Sequence, residues 1–87
     1  MHYIYVLFSL RDKQFYTGDT EDLEARVMDR FKGKVDSTRT RRPLQLVYYE
    51  ACLERADALH RERYLKTTWG KRYLRNRLRK SLELLKV

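Results

Sequence analysis

The chain has 87 residues, 43% of them hydrophobic, and a formal net charge of +8. This length fits one domain, expected over residues 1–87, with a thin core and a surface site rather than a deep cofactor cavity. The apolar content excludes disorder, and the single cysteine, Cys52, excludes an intrachain disulfide and a cysteine-rich metal site. The longest apolar stretch is too short to span a bilayer and the N-terminus lacks a signal-peptide pattern, so we expect a cytoplasmic protein without a membrane partner.

Three β-strands are predicted first along the chain. Residues 3–8 are rich in aromatic and β-branched side chains and predict one strand. Residues 14–17, ended by Gly18, predict a second, and the polar break between the two predicts a hairpin. A third strand is predicted over residues 44–49, directly after Pro43.

Three helices are predicted around these strands. The first begins near Thr20 as its N-cap and ends at Phe31, before Gly33. The second covers residues 54–66, and the third covers about residues 70–84. The third has one apolar stripe, formed by Leu74, Leu78, Leu82 and Leu85. Residues 34–42 are predicted to be a polar loop. Together the elements predict an α+β fold, a small three-stranded antiparallel sheet flanked by three helices.

The charge is segregated along the sequence. Residues 30–42 and 61–80 together hold 15 of the 20 lysines and arginines but only 2 of the 12 acidic residues. This pattern is typical of a surface that meets a polyanion, because each neutralised phosphate releases condensed counterions. The sequence therefore predicts contact with nucleic acid. A basic face that only confers solubility is the alternative.

Glu62 and two arginines depart from their local patterns. Glu62 falls between Ala58 and Leu65 on the inward stripe of the second helix, where a carboxylate needs a metal, a hydrogen-bond partner or an ordinary ion pair with an arginine. Arg26 and Arg30 are four residues apart on one helix face. Like charges at this spacing repel each other, and an anion such as phosphate beside them would compensate both charges. The alternative is that both side chains lie along the edge of the core with their charged ends in water.

Tyrosines mark the two N-terminal strands. Tyr3 and Tyr5 share one face of the first strand, and Tyr16 lies on the second. From the pattern alone, core packing with the hydroxyl at the surface is a more common explanation than catalysis. His2 and His60 do not have metal-ligand spacing with the cysteine.

Together these residues resemble the GIY-YIG nuclease superfamily. Tyr3-Ile4-Tyr5 is similar to the first family motif, with tyrosine for the usual glycine, and Tyr16-Thr17-Gly18 is similar to the second, with threonine for isoleucine. Arg26 and Glu62 stand where the family has its active-site arginine and metal-binding glutamate. The resemblance covers nearly the whole chain and is greatest to short stand-alone bacterial members, distant relatives of the nuclease domain of the excision-repair incision subunit.

The resemblance implies a metal-dependent DNA endonuclease that hydrolyses phosphodiester bonds. Tyr5 would act as the general base for the attacking water or help to activate it, and Tyr16 would position that water or the scissile phosphate. Arg26 would bind the phosphate, and Glu62 would hold one divalent cation, Mg²⁺ or Mn²⁺, at the leaving oxygen. No organic cofactor is expected.

The expected partner is DNA, duplex or branched, with a role in repair and with selection by structure more than by sequence. Phosphate contacts are expected from eight basic side chains, namely Arg30, Lys34, Arg39, Arg41, Arg42, Lys66, Lys71 and Arg72.

Arg30 and Phe31 depart from the family pattern, because many relatives have histidine and then asparagine at these positions. Arg30 stays protonated and cannot act as a general base at neutral pH, although it can bind phosphate. The only asparagine, Asn76, is expected to face solvent, so the role that some relatives give to an asparagine is not assigned to it. The alternatives are a nucleic-acid-binding module of the same fold that has lost most or all catalysis, and an RNA-binding or protein-interaction module.

Overall fold

The computed structural model describes residues 1–85 and contains three strands and five helices in that range. The strands are β1 (His2–Ser9), β2 (Phe15–Thr20) and β3 (Leu44–Cys52). The helices are α1 (Leu23–Phe31), α2 (Asp36–Arg39), α3 (Arg55–Leu65), α4 (Thr68–Arg77) and α5 (Arg79–Leu85). None of the helices in this part of the chain is both long and apolar enough to span a membrane.

The central strand of the sheet is β1. The three strands form an open antiparallel sheet in the order β2-β1-β3, which confirms the predicted α+β fold, hairpin and third strand. Residues 4–9 of β1 are all buried, because elements pack on both faces of the central strand. In this register Tyr5 lies opposite Gly18 on β2 and opposite Tyr49 on β3.

The alternation of side chains along β1 divides the core into two clusters. On one face, Ile4, Val6 and Phe8 pack with residues of α3 and with three leucines of the predicted stripe, Leu74, Leu78 and Leu82; Leu85 packs against their edge. On the other face, Tyr5 and Leu7 pack with Val27 of α1 and with Leu44. The Tyr5 side chain therefore lies on the same side of the sheet as α1.

The predicted third helix, over residues 70–84, is wrong in its extent. Two helices occupy this part of the chain, because the backbone leaves the helical conformation at Leu78 (φ −108°, ψ 21°). The first of them, α4, begins at Thr68, and the Thr67 hydroxyl caps it by accepting a hydrogen bond from the Gly70 N–H at 3.1 Å. Gly70 lies so close to the Tyr64 carbonyl and to Leu65 that a side chain would not fit.

The predicted boundaries around the second strand and first helix also require correction. Gly18 does not end β2; it lies inside the strand, which continues to Thr20. The N-cap of α1 is Asp22 rather than Thr20, and its carboxylate accepts a hydrogen bond from the Ala25 N–H at 3.1 Å. The predicted polar loop of residues 34–42 contains the short helix α2 and the buried side chain of Thr38.

Candidate active site

A cleft opens between the start of β2, the end of α1 and the α3–α4 junction. Its volume is about 330 Å³, and it is lined by Phe15, Tyr16, Thr17, Arg30, Ser37, Lys66 and Lys71. Three of these side chains are cationic and none is a carboxylate, so the cleft attracts anions. A larger hollow of about 590 Å³ lies beside α1, but its charged lining residues are all acidic and none is a predicted site residue.

Tyr5 is the most deeply buried of the predicted site residues, with 1% of its surface exposed. Its ring lies across Gly18, where any side chain would collide with the Tyr5 hydroxyl group. Glycine is therefore required at position 18 because the Tyr5 ring approaches the backbone closely, and not because the chain turns there.

Arg30, which lines the cleft, holds the buried Tyr5 hydroxyl in place. Its Nε–H donates a hydrogen bond to the Tyr5 hydroxyl oxygen at 3.1 Å, and its guanidinium carbon lies 5.8 Å from the centre of the Tyr5 ring. One terminal nitrogen donates to the hydroxyls of Ser37 and Thr38, each at 3.2 Å. A guanidinium has five N–H donors, so these bonds leave part of its donor capacity for an anion in the cleft.

Arg26 lies one turn before Arg30 on α1 and is half-buried. Within residues 1–85 the Arg26 side chain makes no hydrogen bond or ion pair, in contrast to the three bonds made by the Arg30 side chain. The two arginines are thus not equivalent. Arg30 is held by neighbouring hydroxyls and lines the cleft, whereas Arg26 is not held by any such bond and is not among the residues that line the cleft.

Tyr16 lines the cleft from β2, and its hydroxyl donates a 2.5 Å hydrogen bond to the carboxylate of Asp12. Burial and this hydrogen bond raise the pKa of Tyr16 above its ordinary value of 10.0, so the side chain stays neutral and acts as a donor. Burial alone would raise the pKa of Asp12, but hydrogen bonds from Tyr16 and the Gln14 N–H outweigh it and lower the pKa. Arg41 lies 3.7 Å from the same carboxylate.

Glu62 points inward from α3, as its place on the helical stripe predicted, and only 14% of its side chain is exposed. Its partner is not an arginine. The Lys66 ammonium, one turn later, lies 2.8 Å from a Glu62 carboxylate oxygen and also lines the cleft. The Glu62 carboxylate therefore faces a cation at the border of the cleft.

Asp19 is a second carboxylate beside Glu62. Burial would raise the pKa of Asp19, but hydrogen bonding with His2 and Glu62 lowers it below its ordinary value. The His2 Nε2 atom lies 2.8 Å from an Asp19 oxygen. No group of three His, Cys, Asp or Glu side chains within residues 1–85 is arranged to hold a metal on its own.

Comparison with known proteins identifies the family. The family model described as the GIY-YIG catalytic domain matches residues 1–79. The chain belongs to the GIY-YIG family. It is 40% identical over 67 residues to a UPF0213 protein of Staphylococcus haemolyticus, covering 76% of this chain and 80% of the relative. Identity to a UPF0213 protein of Bacillus pumilus is 39% over 72 residues (82% of this chain, 71% of the relative).

A UPF0213 protein of Haloquadratum walsbyi is also 40% identical over 67 residues, which cover 76% of this chain and 74% of the relative. No solved structure matches the chain. The GIY-YIG domain is a nuclease fold, and its substrates are nucleic acids. The names of these relatives specify no reaction.

Most of the remaining predicted phosphate-binding residues of this GIY-YIG domain lie outside the cleft, on its exposed surface. Lys34 and Arg39 form ion pairs with acidic neighbours at 3.9 Å and 3.3 Å, and both remain largely exposed. Arg42 donates a hydrogen bond to the Arg39 carbonyl at 3.0 Å and covers Gly33. Arg72 stacks on Trp69.

Two residues beside the candidate site were not predicted from the sequence, Asp12 and Asp19. Asp12 was interpreted only as part of a polar break, and Asp19 was not singled out. The pairing of Asp12 with Tyr16 follows from the hairpin, four residues apart across a tight turn. The contacts of Asp19 with His2 and Glu62 bring together β1, β2 and α3, and no local signal in the sequence indicates them.

Proposed function

We propose that this protein is a metal-dependent DNA endonuclease that hydrolyses phosphodiester bonds. The observation that carries the proposal is the cleft, which brings Tyr16, Arg30 and Lys66 together. Behind these residues, Tyr5 is hydrogen-bonded to Arg30, and Glu62 forms an ion pair with Lys66. Phosphodiester hydrolysis needs a positioned water, compensation of the charge on phosphorus oxygens, and stabilisation of the leaving oxygen. These side chains offer a group for each task.

Tyr5 is proposed to take the proton of the attacking water. To do so, the hydroxyl would first give up its own proton to solvent; the resulting oxyanion, which faces the Arg30 Nε–H at 3.1 Å, would then take the water proton and become a neutral hydroxyl again. Tyr16 is neutral and donates its only O–H to Asp12, so its oxygen is left to accept a hydrogen bond from the attacking water. Its proposed role is to position that water, or the scissile phosphate if the O–H turns away from Asp12. Arg26, which has no side-chain partner among residues 1–85, would bind the phosphate from α1.

Glu62, with Asp19 beside it, is proposed to hold a single Mg²⁺ or Mn²⁺ ion. Mg²⁺ is commonly bound by one or two carboxylates together with waters and substrate phosphate oxygens, which matches Glu62 with Asp19 beside it. The Lys66 ammonium lies 2.8 Å from the Glu62 carboxylate and would have to be displaced or shared when a metal ion binds there. A bound ion would act as a Lewis acid on the leaving oxygen.

DNA is the proposed substrate, in duplex or branched form. Lys34, Arg39, Arg41 and Arg42 extend the positive surface beyond the cleft, and cations of this kind contact phosphates without reading bases. We therefore expect selection by DNA structure with weak sequence preference. A role in DNA repair in the cytoplasm, carried by residues 1–87 as one domain, is part of the proposal.

Cleavage of labelled linear, single-stranded, flapped and branched DNA by the purified protein tests the proposal. Cleavage is expected with Mg²⁺ or Mn²⁺ and not with EDTA, and Glu62→Gln, which keeps the size of the side chain but removes its charge, is expected to abolish it. Glu83→Gln is the matched control, because Glu83 lies on the exposed surface of α5. Full cleavage by both Glu62→Gln and Arg26→Ala would refute the proposal.

Metal binding itself gives a readout that does not depend on turnover. The affinity for Mn²⁺, measured by electron paramagnetic resonance, should fall in Glu62→Gln. It should rise in Lys66→Met by up to about fivefold, because the ammonium that competes for the carboxylate is removed and an exposed pair is worth up to about 1 kcal/mol. Lys71→Met removes the same charge from the same cleft without a contact to Glu62 and should change the affinity less.

A binding module without turnover is the second candidate function, and Arg30 favours it. A permanently protonated arginine stands where many relatives have histidine. This candidate predicts salt-sensitive DNA binding with no cleavage of any of the four substrates, and robust EDTA-sensitive cleavage would exclude it. Preference for RNA over DNA in competition at matched salt would instead favour an RNA-binding module.

A further inference from the structure

Trp69 is the only tryptophan of the chain, and it lies outside the cleft with 66% of its surface exposed. It belongs to the first turn of α4, and the Arg72 guanidinium lies 5.0 Å from the centre of a ring of its side chain. Exposure on this scale means that packing within the domain does not explain the ring. A large flat side chain covered only by an arginine is instead available to a ligand.

The position of Trp69 on α4 connects it to the cleft. Successive residues of a helix are rotated by about 100°, so the order around the exposed side of α4 is Lys71, then Arg72, then Trp69. Gly70 and Leu74 face the interior. Lys71 lines the cleft. Arg72 therefore extends the positive surface from the cleft around α4, and Trp69 lies beyond Arg72.

The surface beyond Trp69 repeats the same pairing of aromatic rings with arginine. The Arg61 guanidinium lies 5.3 Å from the ring centre of Tyr64 and 5.0 Å from that of Tyr73. Tyr73 is one turn after Trp69 on α4 and so lies on the same flank of the helix. The flank therefore offers further aromatic faces, whereas the charge of Arg61 is already paired with Glu50 at 2.9 Å and the positive charge beside Trp69 comes from Arg72.

We propose that Trp69 and Arg72 bind an unpaired nucleobase of the DNA strand that occupies the cleft. This inference rests on the proposed function, since it takes the DNA to lie along the cleft. Aromatic rings flanked by cations are the usual platform for single-stranded nucleic acid, because every base has a π face and every nucleotide a phosphate. A base inside a duplex is covered on both faces by its neighbours, so the site selects DNA with an unpaired nucleotide next to the scissile phosphate.

The fluorescence of this single tryptophan reports the contact directly. The full chain is titrated in EDTA, which prevents cleavage, with single-stranded DNA, a flapped duplex and a blunt duplex. We expect quenching by the first two probes and little by the blunt duplex. Replacing one nucleotide of the flap at a time with an abasic residue should remove the quenching at a single position, which locates the bound base.

Affinity measurements on variants separate stacking from charge. Trp69→Ala should weaken binding of the flap and of single-stranded DNA about tenfold, with the blunt duplex nearly unchanged, whereas Trp69→Phe should retain part of the difference. Leu84→Ala is the matched control, because Leu84 is an apolar side chain, 78% exposed, on a different helix, α5. Circular dichroism verifies that the variants are folded.

Two outcomes would overturn the inference: the absence of quenching by flapped DNA, or an equal loss of affinity for flap and blunt duplex in Trp69→Ala. Cleavage of DNA together with either of these results would leave the nuclease proposal intact. Selective quenching by the flap without cleavage in Mg²⁺ or Mn²⁺ would refute the nuclease proposal alone. A protein that binds none of the three probes would refute both.

Discussion

Gly18 lies in the middle of β2, opposite Tyr5, and its replacement by alanine tests how firmly the Tyr5 side chain is positioned. The new methyl group would collide with the Tyr5 hydroxyl, and the ring cannot move away easily because it is buried and bonded to Arg30 at 3.1 Å. Overpacking of this kind costs about 1–3 kcal/mol, and the lower entropy of the unfolded alanine chain offsets about 0.4–1 kcal/mol. We expect a net loss of about 1–2 kcal/mol, or a fall in Tm of about 5–15 °C.

A double-mutant cycle identifies the colliding group. Tyr5→Phe removes the hydroxyl oxygen that lies closest to the new methyl group, and alone it should cost about 1 kcal/mol through the lost hydrogen bond. In the Tyr5→Phe background, Gly18→Ala should then lower the free energy of unfolding by about 0.5–1 kcal/mol less than it does in the wild type. Denaturant unfolding measures both values.

Tyr49→Phe serves as the control for this cycle. Tyr49 pairs with Tyr5 across the β1–β3 ladder but is exposed, so its combination with Gly18→Ala should be additive within about 0.5 kcal/mol. Additive costs for Gly18→Ala and Tyr5→Phe, or an alanine variant as stable as the wild type, would mean that the Tyr5 ring does not lie against this glycine.

Three further predictions concern stability and binding. Gly70→Ala should destabilise the fold by about 3 kcal/mol in denaturant unfolding, because its methyl group would meet backbone atoms that cannot move aside. Partial burial alone would raise the pKa of Glu50, but hydrogen bonds from Arg61 and Tyr48 outweigh this and hold the pKa below its ordinary value of 4.5. The stability from this pair is therefore fully present above pH 4.5 and is lost as the pH falls through the lower pKa of Glu50 in the folded protein. Glu50→Gln should remove this loss, so the free energy of unfolding should fall less steeply at acidic pH. Lys71→Gln should reduce the slope of log affinity for duplex DNA against log salt concentration by about 0.9, and an unchanged slope would place this lysine away from the phosphates.

The elements that could be predicted from the sequence are those whose packing follows a simple period. The leucine stripe of α4 and α5 packs on the core as predicted, because it has one dominant direction, and the aromatic and β-branched run of β1 forms the predicted strand, whose two faces are both covered. The break at Leu78 could not be predicted, since the leucine spacing is continuous through it. Gly18 was misassigned as a strand end because the reason for a glycine there, the approach of the Tyr5 ring, is a contact between strands.

The candidate site follows the same division. Glu62 could be predicted to need a partner, because a carboxylate on an apolar helix stripe is visible in one sequence segment. Its actual neighbours, Lys66 and Asp19, show why the partner could not be identified. Lys66 lies one helical turn after Glu62, and a pair at this spacing is common on exposed helices and indicates no site. Asp19 comes from β2, which is distant from Glu62 in the sequence. The helix α2 was predicted as loop because only four residues form it and its stability depends on the burial of Thr38.

The exchange of histidine for arginine at position 30 changes how the site can work rather than simply removing a catalytic group. Histidine can accept a proton at neutral pH, whereas the Arg30 guanidinium can only donate hydrogen bonds and supply charge. Its bonds to Tyr5 and to the hydroxyls of Ser37 and Thr38 join α1 to β1 and α2, so this charge is fixed in place at no cost during binding. Because Tyr16 donates its hydroxyl hydrogen to Asp12 and is held neutral, the proposal assigns the acceptance of a proton to Tyr5, whose oxygen faces the Arg30 Nε–H.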